Sequence, residues 1–266
     1  MNNIVKEDEK HNKIIGYNPT IVDSTIKFMG ENNILFCEEN VVLSKSDLMF
    51  GGSNSVIYLA SNRHKYYLNV EIYNNSVLFI DEHNYMNDLR GRLNLMISEQ
   101  TNIFIGKDGA FSFDIWAWTG DPHPIYDCST NERTNISKSI FIGDHVWIGQ
   151  DALILKGSKV GSGSIVGAKS VVANKKINSN TIWAGNPAKK VKENVFFVGK
   201  SVHRYTDKET EESMKFDSDA YTYSQEGKIY NFDEIDTEIS NIKLAEEKIK
   251  YLQNLREEKS KNRFFI

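Results

Sequence analysis

The sequence has little cysteine and no long apolar run. Cys37 and Cys128 are its two cysteines among 266 residues. This number supports no disulfide framework, and a reducing cytoplasm is the compartment that fits best. No stretch of about 20 apolar residues is present, which argues against a membrane-spanning helix. The opening residues MNNIVKEDEKHNK lack the apolar segment of a signal peptide, so we expect none.

The chain also lacks a strong net charge. Its formal net charge of −4 gives no global attraction to nucleic acid or to an anionic membrane. One segment departs from this balance, because Lys156 to Lys192 contains eight lysines and no Asp or Glu. A segment of one sign in an acidic protein favours an anionic partner, although an exposed lysine run is usually only a solvated face.

What the sequence does contain is a strict period of six residues near its centre. The period is carried by Ile142, Ile148, Ile154, Val160, Val166 and Val172. Neither an α-helix nor a flat strand has this period, whereas a triangular parallel coil directs every sixth residue into one interior. Stacked coils bury a continuous core that no coil forms alone. We therefore predict an all-β fold, a left-handed parallel β-helix, which departs from the usual right-handed crossover rule.

The pattern divides the chain into three regions. Residues 1–22 are polar and predict a loose arm or cap. Residues 23–194 predict the β-helix domain, with less regular coils in its first half and a polar loop insertion at 121–138. Residues 195–266 predict an irregular extension with a helix over about 234–260. That helix either packs on its own domain or forms an oligomer contact.

Several motifs carry a resemblance to a known family. In chain order they are Asp121-Pro122-His123-Pro124, the loop to Asn135, IGDHVWIG at 142–149, GAKS at 167–170 and AGNPA at 184–188. Together they closely resemble the hexapeptide-repeat acyltransferases, and among these the sugar and capsular-polysaccharide O-acetyltransferases, including the polysialic acid O-acetyltransferases. The match is strong from about 103 to 192, weak before it and absent after about 200. The motifs specify the superfamily much better than the acceptor.

The resemblance implies that His123 is the catalytic base. A sugar hydroxyl is a poor nucleophile at neutral pH, and histidine titrates in the range that a base for this transfer needs. From the residues alone, an exposed loop histidine is an equal alternative. Asp121, or equally a backbone carbonyl, would hold the imidazole in its tautomer.

Trp147 is the second residue to which the resemblance gives a role. It would line the acyl-donor channel beside the base of a neighbouring subunit, and a packed aromatic at a subunit contact is the alternative. His145, two residues before it, is expected to be structural. The implied assembly is a homotrimer with active sites between subunits.

The implied acyl donor is acetyl-CoA, and no metal is expected. The pantetheine arm would contact the backbone amides of Ala168 and Lys169. The nucleotide end would contact Pro187, Ala188, Lys189 and Lys190. Tyr126 and Asp127 would contact a carbohydrate acceptor, and their equal alternative is to anchor the loop.

Other chemistries are disfavoured. Cys128 lies in the His123 loop, but nothing in the sequence activates it for an acetyl-cysteine route. A zinc site as in γ-class carbonic anhydrases needs three histidines, and the spacing of His123 and His145 does not match that pattern. Two functional alternatives stay open, namely acetylation of a small sugar or nucleotide-sugar precursor, and a non-catalytic scaffold.

Overall fold

The chain folds into a solenoid of stacked coils. The computed structural model describes residues 3–87 and 91–266. In chain order the strands in these residues are β1 (Ile4–Glu7), β2 (Lys13–Gly16), β3 (Thr20–Val22), β4 (Thr25–Phe28), β5 (Ile34–Cys37), β6 (Val42–Ser44), β7 (Asp47–Phe50), β8 (Val56–Leu59), β9 (Leu68–Ile72), β10 (Val77–Ile80), β11 (Tyr85–Met86), β12 (Leu93–Ile97), β13 (Asn102–Ile105), β14 (Ala110–Phe111), β15 (Ile115–Trp118), β16 (Ile140–Ile142), β17 (Trp147–Ile148), β18 (Leu153–Leu155), β19 (Lys159–Val160), β20 (Ile165–Val166), β21 (Val171–Ala173), β22 (Lys176–Ile177), β23 (Thr181–Ala184) and β24 (Lys189–Glu193). The helices are α1 (Asp207–Glu212), α2 (Phe232–Asn241) and α3 (Ala245–Glu257). None of these helices is long and apolar enough to cross a bilayer.

Three long sheets run along the sides of the coils in the described residues, and a fourth sheet holds only β3 and β6. The first has the order β1-β2-β5-β8-β10-β13-β16-β19-β22, the second β11-β14-β17-β20-β23-β24, and the third β4-β7-β9-β12-β15-β18-β21. Neighbouring strands of successive coils pair in parallel, as in β13 with β16. The pairing is antiparallel at two ends, where β1 lies on β2 and β24 lies on β23. The predicted parallel β-helix is confirmed.

The six-residue period forms the interior of the later coils. Ile142 is 3% exposed, and the other five residues of the period are fully buried. Ile142 pairs with Val160 in the first sheet, so one coil there takes 18 residues. The earlier coils are longer, since Ile80 pairs with Ile105. Regular spacing therefore belongs to the coils after the loop insertion.

Residues 3–22 contain strands β1, β2 and β3, where the sequence predicts a loose arm or cap. Strand β2 pairs in parallel with β5, and its Ile14 and Ile15 are buried. The first sheet thus extends into this segment, because two adjacent aliphatic residues there have a core to join.

The C-terminal extension covers the outside of the first sheet. In place of one helix over 234–260 there are two, because Ile242 and Leu244 adopt extended backbone between α2 and α3. The helices therefore pack on their own domain. Their buried residues against the sheet are Phe232, Ile235, Ile239, Ala245, Ile249, Leu252 and Leu255.

A row of aromatic rings joins this sheet to the helices. At one register position of successive strands the outward side chains are Phe36, Tyr58, Phe79, Phe104 and Phe141. Neighbouring ring centroids in the row are 4.5 to 5.3 Å apart. Phe232 of α2 continues the row at 5.0 Å from Phe141. Each of these large side chains removes much apolar surface from water, so the row is a main source of stability.

Arg263 ties the end of the extension to the coils. Its side chain is 1% exposed, and its Nε and Nη2 donate to the two carboxylate oxygens of Asp144 at 2.8 and 2.9 Å. Nη2 also donates to Asp81 at 2.5 Å. Because Asp144 precedes His145 and Trp147 on the same coil, the extension is anchored to the coil that carries a candidate site residue.

Candidate active site

The polar loop interrupts the coils as predicted. It leaves the third sheet after β15 and enters the first sheet at β16, so it projects from the corner between them. Tyr126 bridges antiparallel to Arg133, which makes the tip a short hairpin. His123 precedes this hairpin between two prolines and is exposed to solvent. Its imidazole has no hydrogen-bond partner among the described residues.

Asn135 is the hub of this loop. Its Nδ2 donates to the backbone carbonyl of His123 at 2.8 Å and to Oδ2 of Asp121 at 2.9 Å. Its Oδ1 accepts from the backbone N–H of Ile125 at 2.8 Å. Asn135 is 7% exposed, so its amide is held in a nearly dry position where each of these bonds resists exchange with water. One buried side chain thus fixes the backbone on both sides of Pro124.

Asp121 does not reach the imidazole. Its Oδ2 accepts from Lys156 Nζ at 2.5 Å as well as from Asn135. The Lys156 ammonium first, and the Asn135 amide second, hold the pKa of Asp121 below its usual range. Within this chain Asp121 is linked only to the His123 backbone, through Asn135. No backbone carbonyl of the described residues contacts the imidazole either.

A second anchor ties the far side of the loop to the preceding coil. Glu99 binds the Arg133 guanidinium with both oxygens, at 2.5 and 3.0 Å, and accepts from Ser137 Oγ at 2.5 Å. These bonds, the Arg133 one foremost, lower the pKa of Glu99 to about 2. Sequence reasoning did not identify Glu99, because it lies 34 residues from its partner.

Tyr126 and Asp127 have different surroundings. The Tyr126 side chain is 56% exposed at the start of the hairpin. Asp127 closes the turn instead, since Oδ1 accepts from Ser129 Oγ at 2.5 Å and from the backbone N–H of Thr130 at 3.0 Å. The Ser129 bonds chiefly lower the pKa of Asp127 to about 2. The geometry favours a loop anchor for Asp127 and leaves Tyr126 open to an acceptor.

Trp147 points outward from the second sheet. It lies between Ala110 and Ile165 in the parallel ladder and is 41% exposed. Its ring centroid is 5.8 Å from that of Phe197, which belongs to the C-terminal extension. Trp147 thus exposes part of its ring to solvent, while Phe197 packs against one side of it.

His145 is a packed residue, as expected. Its ring lies between those of Phe197 and Tyr221, with centroids at 4.1 and 4.3 Å. One ring nitrogen is 2.9 Å from the Phe197 carbonyl oxygen. Burial lowers the pKa of His145, because it penalises the charged form of the ring.

The candidate donor residues lie at the corner between the second and third sheets. Gly149 permits the coils to approach closely there, because a Cβ at this position would lie 2.5 Å from the Ala168 nitrogen. The Ala168 N–H has no hydrogen-bond partner among the described residues. The Lys169 N–H, in contrast, donates to the Gln150 carbonyl at 2.8 Å. Of the two amides expected to bind a ligand, only that of Ala168 is available.

The remaining candidate donor residues lie in and after the turn that follows β23, and they differ in exposure. Pro187, Lys189 and Lys190 are exposed. Ala188 is 2% exposed, and its N–H donates to the Val171 carbonyl at 2.8 Å. The turn directs Ala188 inward to close the end of the core, so its side chain is not at the surface where a ligand would lie.

No group of three His, Cys, Asp or Glu side chains among the described residues is placed to hold a metal ion. Cys37 is buried in the core, and Cys128 is exposed at the loop tip without a disulfide.

Comparison with known proteins places this geometry among transferases. The family model "Bacterial transferase hexapeptide (six repeats)" matches residues 139–174. A polysialic acid O-acetyltransferase of Neisseria meningitidis is 35% identical over 196 residues, which are 71% of this chain and 89% of that protein. A polysialic acid O-acetyltransferase of Escherichia coli O1:K1 / APEC is 38% identical over 103 residues, 39% of this chain and 33% of that protein.

Solved structures show the same similarity. The polysialic acid O-acetyltransferase OatWY superposes with a TM-score of 0.62 at 27% identity, covering 73% of this chain and 90% of that one. The polysialic acid-specific acetyltransferase NeuO superposes with a TM-score of 0.63, at the same identity and coverage.

Proposed function

Because the chain belongs to the hexapeptide-repeat transferases, in the branch of the polysialic acid O-acetyltransferases, we propose that it transfers an acetyl group from acetyl-CoA to a hydroxyl of polysialic acid. The observation that carries this proposal is the exposed imidazole of His123, on a loop that Asn135 and the Glu99–Arg133 pair anchor at a corner of the solenoid. A rigid support for one free side chain is what a positioned base requires.

His123 acts as general base in a direct transfer. Its free ring nitrogen takes the proton of the sugar hydroxyl as the hydroxyl oxygen bonds to the thioester carbonyl carbon. The resulting tetrahedral oxyanion is stabilised by a backbone N–H. The imidazolium then returns the proton to the sulfur as the carbon–sulfur bond breaks, which leaves the acetyl ester and CoA thiol.

The donor site is built from the corner of Ala168 and from β24. The free N–H of Ala168 is suited to an amide oxygen of the pantetheine arm. Lys189 and Lys190, with Pro187, provide the positively charged end for the phosphates. Trp147 would flank the thioester in an assembly of three subunits, where the His123 loop of one subunit meets the Trp147 face of its neighbour. Such an assembly in the cytoplasm is part of the proposal.

The first experiment is the His123→Ala variant. We expect acetyl transfer to fall by roughly 10³-fold or more, because no other group takes the hydroxyl proton, while acetyl-CoA binding by calorimetry stays unchanged. His203→Ala, at another exposed histidine, is the matched control and keeps full activity. Full activity in the His123 variant would refute the assignment.

The acceptor is tested separately. CoA thiol release is measured with a thiol-reactive dye in the presence of polysialic acid, of its monomer and of neutral polysaccharides. Release that requires the polymer supports the proposal. Release with the monomer moves the acceptor to a small precursor, and failure to bind acetyl-CoA leaves only a scaffold.

A further inference from the structure

The lysine-rich segment does not form one surface. Eighteen-residue coils distribute its lysines over different sides of the solenoid. Lys169 and the lysines of β24 lie near the Ala168 corner, whereas Lys156 and Lys175 lie at the corner from which the His123 loop projects, and Lys176 begins β22 directly beside that corner. Four of the eight are already paired within the chain: Lys156 with Asp121, Lys159 with Asp233, Lys169 with Asp151 and Lys190 with Glu193.

Four lysines at or directly beside the corner of the loop form what we term the basic ridge: Lys138, Lys156, Lys175 and Lys176. Backbone bonds stack their coils, since the Gly157 N–H donates to Ser139 and the Asn174 N–H donates to Lys156. With coils about 4.8 Å apart, the ridge extends over about 10 Å along the solenoid axis.

The ridge starts directly under the His123 loop. Lys156 Nζ donates to the Asn135 carbonyl at 3.1 Å and pairs with Asp121, so its charge is used to hold the loop. Lys138, Lys175 and Lys176 are exposed and have no carboxylate partner among the described residues. Three uncompensated positive charges therefore line the corner next to the candidate base.

We propose that the basic ridge binds the acidic polymer beside the sugar that reacts, while the β24 lysines serve the acyl donor. The inference deepens the proposed function and rests on it. A polymer with one carboxylate on each sugar presents negative charge repeatedly along its length, which matches ammonium groups on successive coils. The phosphates of acetyl-CoA belong instead near Ala168, whose free amide lies at the other corner.

The test compares three charge-matched triple variants. The ridge variant is Lys138→Gln/Lys175→Gln/Lys176→Gln, and the donor variant is Lys189→Gln/Lys190→Gln/Lys192→Gln. The control, Lys27→Gln/Lys45→Gln/Lys65→Gln, removes three exposed lysines from early coils. Each is measured for KM toward long polysialic acid, KM toward a short sialic acid oligomer and KM toward acetyl-CoA. Binding to immobilised polysialic acid is measured without acetyl-CoA at low and high salt.

The ridge variant should raise the KM for the long polymer about tenfold and change the other two constants less than twofold, since each exposed pair contributes modestly. Its polymer binding should be weaker and less sensitive to salt. The donor variant should raise the KM for acetyl-CoA only. Unchanged polymer binding in the ridge variant, or a rise in its KM for acetyl-CoA, would overturn the inference. A wild-type protein that binds the polymer through the ridge without acetylating it would contradict the proposed function alone.

Discussion

The outward row of the first sheet that contains Phe36 and Phe141 is aromatic along one part and basic along the other. Under the C-terminal helices its outward side chains are aromatic through Phe141, and the next two coils place Lys159 and Lys176 at the same register position. The change from aromatic residues to lysine occurs at the N-terminal end of α2, which is the edge of the helical layer on this sheet. There Lys159 pairs with Asp233 of α2. The strand geometry is continuous across the boundary, so the covering element, and not the coil, decides which residue type the position holds.

The comparison separates stability from chemistry. The covered part has fully or nearly buried rings and a buried arginine, whereas the open part has the His123 loop, Trp147 and the basic ridge. We expect substitutions in the first part to change folding, and substitutions in the second to change catalysis or binding.

The largest effect is expected from Phe104→Ala in the covered row. Phe104 is 3% exposed between the rings of Phe79 and Phe141, so its loss leaves a cavity that neither neighbour fills. The free energy of unfolding should fall by about 3 to 5 kcal/mol in a urea titration. Activity per folded molecule should stay unchanged. A large loss of kcat at full folding would break the separation.

Asn135→Ala should lower catalysis and leave stability nearly unchanged, in contrast to Phe104→Ala. Without the hub, the His123 carbonyl and the Asp121 carboxylate lose their common donor, and the imidazole is no longer held in place. We expect kcat to fall about 100-fold with little change in the KM for acetyl-CoA or in the melting temperature. Glu132→Gln, exposed on the same loop, is the control. A kcat within twofold of wild type would show that the hub does not position His123.

Lys248→Met tests a charge under the cover. Burial lowers the pKa of Lys248 to about 8, and its Nζ donates to the Asn75 carbonyl at 2.5 Å. The folded-state pKa is below the unfolded one, so burial of the charge costs stability below pH 8, and this cost disappears as pH rises toward about 10.4. The variant should be more stable than wild type at pH 7 by about 3 kcal/mol, with the difference shrinking by pH 10. A pH-independent difference would contradict this.

The smallest effect is expected from Lys159→Ala, in the open continuation of the same row. Its side chain is 25% exposed, and the Asp233 partner is 73% exposed. Exposed pairs of this kind contribute less than about 1 kcal/mol. A loss of unfolding free energy as large as that of Phe104→Ala would show that both parts of the row contribute equally to stability.

The later coils and the loop could be predicted because their signals are local. Every sixth residue from Ile142 to Val172 points inward through backbone geometry alone, and the structure buries all of them. The loop at 121–138 has turn formers and lacks the period. The motif around His123 similarly identified the candidate base without knowledge of its neighbours.

The cover and the loop anchors could not be predicted, because they depend on contacts distant in sequence. Phe232 lies 91 positions after Phe141, and Lys156 lies 35 positions after Asp121, which is one coil and the loop insertion further along the chain. The family resemblance implies that Ala188 and Lys169 contact the acyl donor, but the turn geometry directs Ala188 inward and a neighbouring coil takes the Lys169 N–H. The lysines from Lys156 to Lys192 form one basic segment in the sequence, but the coils place them on different sides of the solenoid.

The aromatic row also has a consequence for the newly synthesised chain. Phe36 leaves the ribosome 196 residues before Phe232, the first helical residue that packs on the row. At about 5 to 20 residues per second, the outer face of the early coils stays uncovered for roughly 10 to 40 seconds. During that interval the growing polypeptide presents a continuous strip of rings on stacked parallel strands, which is a surface that other unfinished chains or a chaperone can bind. The same contacts that stabilise the finished protein therefore make its biosynthesis dependent on what occupies this strip first.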